Sequence, residues 1–530
     1  MPPVMSENRA FLDGIDRDYA EYLRDESRMT GKAESISFPK TEADIRADLI
    51  EAGKLGRRVT TQGARTGITG AAVPAGGHIL NLSRMTRALG LRRAPDGRTF
   101  FVAVQPGMVL TELRHMIAAR EFDTQGWSPD SLAALAEFRT SGPFFFPPDP
   151  TEASASIGGM AACNASGALT FHYGPTRNYV DRLRLALPDG DCLDLRRGEH
   201  RAAGRAFSLT TESGRVIAGR IPGYTMPRVK NAAGYFAAPD MDLLDLFVGS
   251  EGTLGVLSEI DLRLIPAPRV VWGLMVFLPS DADSIRFVER ARAVAARPVA
   301  LEFFNDGALR FLRKMKKTKP AFDKIPEMPD AWQTAVYVEL HGDDESAVEN
   351  AAMAVSELMV ECGGSEDSSW LATDERELVR LKDFRHAVPE AVNLTIDERR
   401  RAEPKLTKLG TDLAVPDGAL EQVMALYNDG LRAAGLEYVI FGHIGNNHLH
   451  VNILPNTLEE YDRGKQLYQV WAKAVVAMGG TVAGEHGIGK LKTGLLAQMY
   501  GPDGIREMRE VRALFDPKWM LNPGNLFGAE

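Results

Sequence analysis

Three of the ten histidines in the chain fall between residues 443 and 450, in the run Ile440-Phe-Gly-His-Ile-Gly-Asn-Asn-His-Leu-His-Val-Asn-Ile453. An imidazole can ligate a divalent ion or carry a proton near neutral pH. Asn446 and Asn447 predict a two-residue hairpin turn, because asparagine is among the few residues that tolerate the positive φ such a turn demands. A turn centred there pairs Gly445 with His448 and His443 with His450. Directly paired residues hold their Cβ atoms about 5 Å apart on one face, which lets His443 and His450 share a metal ion. Further along, Gly484-Glu-His-Gly-Ile-Gly offers Glu485 as a carboxylate ligand and His486 as a general base. A lone histidine is usually a hydrogen-bonded core residue; this density favours chemistry, with His448 a further catalytic candidate.

A second group of residues could hold a flat, phosphate-bearing molecule. In Thr61-Gln-Gly-Ala-Arg-Thr-Gly-Ile-Thr-Gly70, the glycines Gly63, Gly67 and Gly70 let the backbone approach a pyrophosphate and aim N–H groups at it. Ala64, Arg65 and Thr66 lie between them. The spacing is not the GxGxxG of a dinucleotide fold, and no helix-forming run follows it. Alone, the loop reads equally well as an ordinary tight turn. Two more such segments accompany it: 147–167, with Pro148, Asp149, Gly158, Gly159, Asn164, Ser166 and Gly167, and Gly249-Ser-Glu-Gly-Thr-Leu-Gly255, with Gly252. Three small-residue loops in one region point to an extended cofactor. Cys163, inside the second loop, reads as a small packing residue.

Elements must position these groups. Ser35-Ile-Ser-Phe-Pro is a short strand, Thr41 a helix N-cap with Asp44 three positions on, and the helix runs to about Gly53. Arg57-Arg-Val-Thr-Thr is a strand entering the first glycine loop, followed by short β segments at 78–85 and 99–107 and a helix from about Leu110 to Arg120. The proline-rich stretch 122–150 reads as turns. After Pro266 and Pro268 the texture changes to strand, helix, strand, helix, which indicates a ferredoxin-like α/β unit with helices on one side of its sheet. Helices near 371–392 and 417–435 flank the hairpin at 438–455, and a helix at 458–478 and a final helix close the chain. The expected organisation is an N-terminal extension (1–35), a first α+β domain (36–268), a second domain (269–480) and a C-terminal helical segment (481–530) that returns to the first domain.

Bulk properties narrow the function classes. At roughly 150 residues per domain, 530 residues suggest about three units, and 44% hydrophobic content suits a folded globular chain. A balance of 62 basic against 71 acidic residues, net −9, argues against wrapping a nucleic acid. Cys163, Cys192 and Cys362 are too dispersed for a disulfide framework or an iron–sulfur site. The N-terminus is not a signal sequence, and no long apolar run follows. These features fit a cytoplasmic protein, with peripheral membrane docking left open.

The loop at 62–74, the 147–167 block, Val229-Lys-Asn-Ala-Ala-Gly-Tyr235 and 249–260 resemble the PCMH-type FAD-binding domain of the vanillyl-alcohol oxidase superfamily. The segments 442–455, 484–492 and 514–527 resemble its D-lactate, glycolate and D-2-hydroxyglutarate dehydrogenase branch. The resemblance spans about residues 36–527. It implies FAD with its pyrophosphate on the 62–70 loop, and Gly158, Gly159, Asn164, Gly167, Gly252 and Ile260 along the flavin or adenine; Pro148, Asp149, Ser166 and Asn525 belong to the same matching motifs. The first loop has no histidine for covalent attachment, so non-covalent FAD is expected. In the hydroxyglutarate-type members the residues matching His443, His450 and Glu485 bind zinc or a similar ion, and the one matching His486 acts near the substrate hydroxyl.

Arg385, in Phe384-Arg-His-Ala-Val-Pro-Glu, matches the arginine that grips the substrate carboxylate, a job for a planar bidentate donor; without the match it reads as a surface helix residue. The chain departs from that group by reading GNNHLH for the usual GDGNLH, and Gly410 stands where a lysine would hold a second carboxylate. The implied activity is oxidation of a D-2-hydroxy acid, D-lactate-like or longer, by hydride transfer to flavin. Electrons would then pass to a separate acceptor: a quinone, a cytochrome or an electron-transfer flavoprotein. An oxygen-using oxidase, and a flavoprotein subunit of an electron-transfer complex, are the alternatives. A homodimer is compatible with this reading.

Overall fold

Thr41 starts the helix Glu42–Lys54 with a reciprocal pair of bonds: its hydroxyl accepts the Asp44 N–H and the Asp44 carboxylate accepts the Thr41 N–H. The exchange satisfies donors that a helix start leaves free. Ile45, Leu49 and Ala52 on its inner face pack against Val59, Leu80 and Leu521. The computed structural model describes residues 9–10, 19–294 and 297–528. Much of the expected N-terminal extension, residues 1–8 and 11–18, lies outside the described residues.

A four-stranded sheet holds Arg9–Ala10, Ser35–Ser37, His78–Asn81 and Val59–Gln62 in that order, the last three parallel. Its outer strand is completed from the far end of the chain. The Val59 N–H donates to the Met520 carbonyl (2.8 Å) and the Asn522 N–H to the Val59 carbonyl (2.7 Å), covering an edge that would otherwise be open to pairing. Residues 520–522 therefore pair with the strand that feeds the first glycine loop.

A six-stranded sheet follows the order Ala88–Arg93, Phe100–Val104, Val256–Pro266, Val180–Ala186 and Cys192–Arg196, with Phe144–Phe145 joined to the far end of Val256–Pro266. The helices Leu110–Ala119 and Pro129–Thr140 bury Leu113, Ile117, Leu135 and Phe138 in the core it shares. The second helix lies inside the stretch expected to be turns. Ser128 accepts from the Ser131 N–H, and Pro129 occupies the first helical turn, where its missing N–H costs nothing. Proline marked a helix start there.

The second large sheet has seven strands, in the order Ser369–Ala372, Val270–Leu278, Thr334–Gly342, Ala300–Phe304, Tyr438–His443, His448–Ile453 and Leu409–Gly410. Helices cover both of its faces, which corrects the one-sided arrangement expected. Leu274, Val276, Val336 and Val338 face a layer that includes Val288, Val355 and Met359. Met275, Phe277, Ala335 and Tyr337 face Leu309, Leu312, Leu381 and Val388 on the other side. The near-continuous apolar run of Val270–Leu278 is what a strand buried on both faces requires.

The helix Glu375–Arg400 carries Arg385 and continues through Pro389, whose missing N–H leaves the Arg385 carbonyl without its intrahelical donor. Among the described residues no helix is long and apolar enough to cross a membrane. Phe303, on the strand that abuts the histidine hairpin, is fully buried. Phe303→Ala should destabilise the protein by about 3–5 kcal/mol, measured as a lower urea midpoint; a loss under about 1 kcal/mol would contradict this placement.

Candidate active site

The hairpin that carries the histidines turns earlier than its asparagines suggest. Ile444–Asn446 form one 3-10 turn and Asn447 takes the left-handed conformation at φ 50°. His448 therefore sits opposite His443, and His450 opposite Phe441. The pairing of Gly445 with His448 and His443 with His450 is thus corrected. The slip is two residues, so every side chain stays on the face it was expected to occupy. His443, His448, His450 and Glu485 each present a ligand atom within 4.8 Å of the others.

Each imidazole is held through one nitrogen. His443 Nδ1 lies 2.7 Å from Glu302 Oε1, His450 Nδ1 3.0 Å from the Thr411 carbonyl, and His448 Nε2 2.9 Å from Asp412 Oδ1. The other nitrogens of His443 and His450 face Glu485, at 3.1 Å and 3.2 Å. An acceptor behind each ring fixes its tautomer and leaves a lone pair in front, the arrangement that metal-binding histidines adopt. The donor set is therefore suited to a divalent ion such as zinc.

Two residues that the motif reading passed over organise this cluster. Asp412, with no exposed surface, accepts the Glu485 N–H (3.1 Å), the His486 N–H (3.0 Å) and Lys492 Nζ (2.7 Å), besides its bond to His448. Its Oδ1 is also 3.4 Å from His486 Nδ1. Lys230 Nζ reaches Glu485 Oε2 at 2.6 Å and donates to the Gly167 carbonyl at 3.3 Å. Lys230 sat inside the quoted Val229-Lys-Asn motif and Asp412 lies two residues beyond Gly410, whereas Glu302 comes from a plain buried strand that carried no signal. The turn 484–492 is gripped from the third glycine-rich loop as well: Glu251 accepts the Ile488 and Gly489 N–H groups at 2.6 and 2.8 Å.

Burial and charge set the protonation states. Burial would raise the Glu485 and Asp412 carboxyls, but His443 and Lys230 hold the first, and His486, Lys492 and His448 the second, well below the usual range. Burial lowers His443, yet Glu302 and Glu485 outweigh it and leave it raised. Burial drives His448 well down, helped by His450. His486 is also lowered by burial, against the pull of Asp412 and Glu485. A histidine below its ordinary value of about 6.5 is neutral at pH 7 and able to accept a proton. His486 is also the accessible member, its side chain 27% exposed against 0% for His448.

Arg385 makes no hydrogen bond or ion pair among the described residues. Burial acts to lower its pKa, but Glu302 and Asp149 raise it, so it stays charged. An unpartnered, half-buried guanidinium is available to an incoming carboxylate. Lys408, by contrast, donates to Asn393 (3.0 Å).

The three glycine-rich loops converge. A side chain at Gly63 would meet Ser156 Oγ at 2.1 Å, and one at Gly167 would meet the Asp149 carbonyl at 1.5 Å. Gly158 lies against Pro106, and Gly252 against Asn522. Pro148 and Asp149 both accept from Arg114. The Ala64 N–H reaches Ser156 Oγ, but those of Arg65, Thr66, Gly67, Ile68, Thr69 and Gly70 meet no acceptor among the described residues. Of these residues Gly67 and Ile68 are exposed and Arg65 and Thr66 partly so, which leaves their N–H groups open to a ligand. The hydroxyls of Thr60, Thr61 and Ser166 are buried without partners. These donors suit a pyrophosphate and a polar ring edge.

Lys490 ties this loop to the catalytic turn, donating to the Gly70 and Ala71 carbonyls (3.1 Å each) and to Asn525 (2.7 Å). Gly159 adjoins Ser156, and Asn164 caps its helix in the left-handed conformation. Ile260 is buried in mid-strand between Val104 and Leu183. Arg65 turns outward to pair with Glu21 (3.1 Å) and stack on Tyr22. Burial pushes the Cys163 thiol up to about 12, which suits packing and not attachment.

Comparison with known proteins places this geometry. Residues 267–526 match the family described as FAD linked oxidases, C-terminal domain, and residues 33–133 and 131–196 match the FAD binding domain. A D-lactate dehydrogenase from Anaerostipes hadrus is 30% identical over 535 residues, covering 97% of this chain and 93% of the relative. A D-2-hydroxyglutarate dehydrogenase from Xanthomonas citri pv. viticola is 29% identical over 516 residues, covering 96% and 93%. In fold, 4-ethylphenol oxidase from Gulosibacter chungangensis superposes with a TM-score of 0.64 at 16% identity, over 99% of this chain and 95% of its own. An alkyldihydroxyacetonephosphate synthase does so with a TM-score of 0.57 at 14% identity, over 94% and 78%.

Asp412→Asn keeps the size of the side chain and removes the charge behind His448 and His486. Activity should fall by about 10–100-fold, the usual cost of losing such a supporting partner, with protein folding and flavin content retained. Unchanged turnover would contradict the role given to Asp412.

Proposed function

The chain belongs to the FAD-linked oxidases, and from that premise we propose that it oxidises a small D-2-hydroxy acid to the 2-oxo acid as a dehydrogenase. The observation that carries this reading is the meeting of three elements: an unpartnered Arg385, a neutral His486, and the His443–His450–Glu485 cluster beside loops suited to FAD. Arg385 binds the substrate carboxylate and so fixes which face of C2 is presented. His486 has Nδ1 3.4 Å from Asp412 Oδ1 and Nε2 3.4 Å from Glu485 Oε1, so Nε2 is the nitrogen on the side of the ligand cluster and takes the hydroxyl proton there. Asp412 then stabilises the imidazolium that results, as a carboxylate behind a catalytic histidine does.

FAD, when bound non-covalently, supplies the hydride acceptor, and a divalent ion, when bound, supplies Lewis acidity toward the 2-hydroxyl. The 62–70, 147–167 and 249–255 loops would hold the first. His443, His450 and Glu485 would hold the second. His443 and Lys230 together hold Glu485 ionised, and Lys230 orients it.

The substrate end favours a monocarboxylate. Gly410 offers no side chain where a lysine would hold a second carboxylate, and Lys408 is engaged with Asn393. Lactate and longer aliphatic 2-hydroxy acids fit this better than 2-hydroxyglutarate. Electrons leave to a separate acceptor, and with Cys163, Cys192 and Cys362 free and apart an iron–sulfur relay would have to be on another chain.

Turnover with an artificial dye acceptor tests the reading, on D- and L-lactate, D-2-hydroxyglutarate, D-malate, glycolate and longer D-acids. Activity should be confined to D-acids and glycolate and be lost on chelation. Arg385→Met should lower kcat/KM by about 10–100-fold, the loss of charge-assisted hydrogen bonds worth about 1.5–3 kcal/mol. Equal use of L-acids, or an unaffected Arg385→Met enzyme, would overturn it.

A further inference from the structure

His448 is not explained by the reading above. It is the least accessible of the clustered histidines, 0% exposed. Its Nε2 bonds Asp412 at 2.9 Å, and Nδ1 has no hydrogen-bond partner in its buried position. Leaving a buried polar atom unsatisfied is costly. Rotating the ring by a half-turn would put each nitrogen where a ring carbon now lies, taking Nε2 off the position that bonds Asp412. The ring is also pinned: a Cβ at Gly484 would lie 2.7 Å from His448 Nε2 and 2.9 Å from Cε1, so Gly484 backbone packs directly against it.

Three facts give that bare nitrogen a direction. His448 offers a ligand atom within 4.8 Å of those of His443, His450 and Glu485. Its ring centroid is 4.5 Å from that of His450 and 5.5 Å from that of His443. Its Asp412 bond is the counterpart of the Glu302 and Thr411 bonds behind His443 and His450. Each of the three imidazoles is therefore backed by an acceptor on one nitrogen, and each offers a ligand atom to one cluster. Ring support of this kind orients a ligand and raises its basicity.

We propose that His448 is a fourth protein ligand, through Nδ1, of the divalent ion assigned above to His443, His450 and Glu485. The proposal rests on that assignment and goes further. Three imidazoles and one carboxylate complete a four-coordinate shell, where catalytic zinc sites usually keep one position open. The ion would be held more tightly than by three ligands, and more of its effect would be exerted through its field on the nearby substrate pocket. Asn at this position, as in the GDGNLH pattern, keeps a donor for Asp412 and gives up the ligand, which makes His448→Asn the informative variant.

The test uses the FAD-loaded full chain stripped of metal by chelation and then titrated with Co(II) or Zn(II). Wild-type protein should bind one ion per chain and give the intense visible bands of four-coordinate Co(II). Zinc-edge X-ray absorption on the wild type, which needs no variant, should count three imidazoles. His448→Asn should weaken zinc binding by about 100-fold or more, at least the loss seen when only a supporting partner is removed, and should shift the Co(II) bands. His448→Gln provides a second variant of different reach, with flavin content and circular dichroism as the check on folding. Two imidazoles in the wild type, or identical Co(II) spectra and affinities in wild type and variants, overturns the proposal and leaves the three-ligand assignment standing. No uptake of either ion by the wild type overturns both.

Discussion

The structure depends on one buried carboxylate. Asp412 receives two backbone N–H groups from the turn 484–486, an ammonium from Lys492 and an imidazole from His448, all at 2.7–3.1 Å. Burying a charge is costly unless it is paired and hydrogen-bonded, and here the partners are the groups the chemistry needs. The same bonds that satisfy Asp412 fix the backbone of Glu485 and His486 and orient two rings. Removing the charge would leave an ammonium and several donors without their acceptor, so the site's geometry and its local stability are one property.

The catalytic turn is gripped from two directions. Asp412, beside the seven-stranded sheet, holds its beginning, and Glu251, from the third glycine-rich loop, holds Ile488 and Gly489. Lys490 then spans from that turn to the carbonyls of Gly70 and Ala71. Lys230 does the reverse, reaching from the Gly167 carbonyl to Glu485. These cross-connections set the distance between loops suited to a flavin and residues suited to a substrate. Hydride transfer is sensitive to misplacement on the ångström scale, so the long-range bonds matter to rate even though most touch no reacting atom.

The sequence made much of this legible, and the failures have physical causes. The capping box at Thr41 and Asp44, the glycine loops and the histidine face were readable because each needs particular residue types at fixed spacing. The helix Pro129–Thr140 was missed because proline serves both turns and helix starts. The hairpin register slipped by two because Asn446 and Asn447 admit more than one turn type; the face survived because the strand period is two. Helices on both sides of the seven-stranded sheet were foreshadowed by the unbroken apolar run Val270–Leu278. Glu302 could not be found, since a carboxylate in the strand Ala300–Phe304 gains its meaning only from a hairpin about 140 residues away in the chain.

The central claim is that a D-2-hydroxy acid delivers a hydride to a flavin held by this chain. Anaerobic mixing of the FAD-loaded protein with D-lactate, followed at the flavin band near about 450 nm, tests it in a single turnover without any electron acceptor. The account predicts rapid bleaching by D-lactate and longer D-acids, little or none by their L-isomers, and loss of the reaction after chelation. A flavin that stays oxidised with every D-2-hydroxy acid, in protein shown to be folded, FAD-loaded and metal-replete, would contradict it.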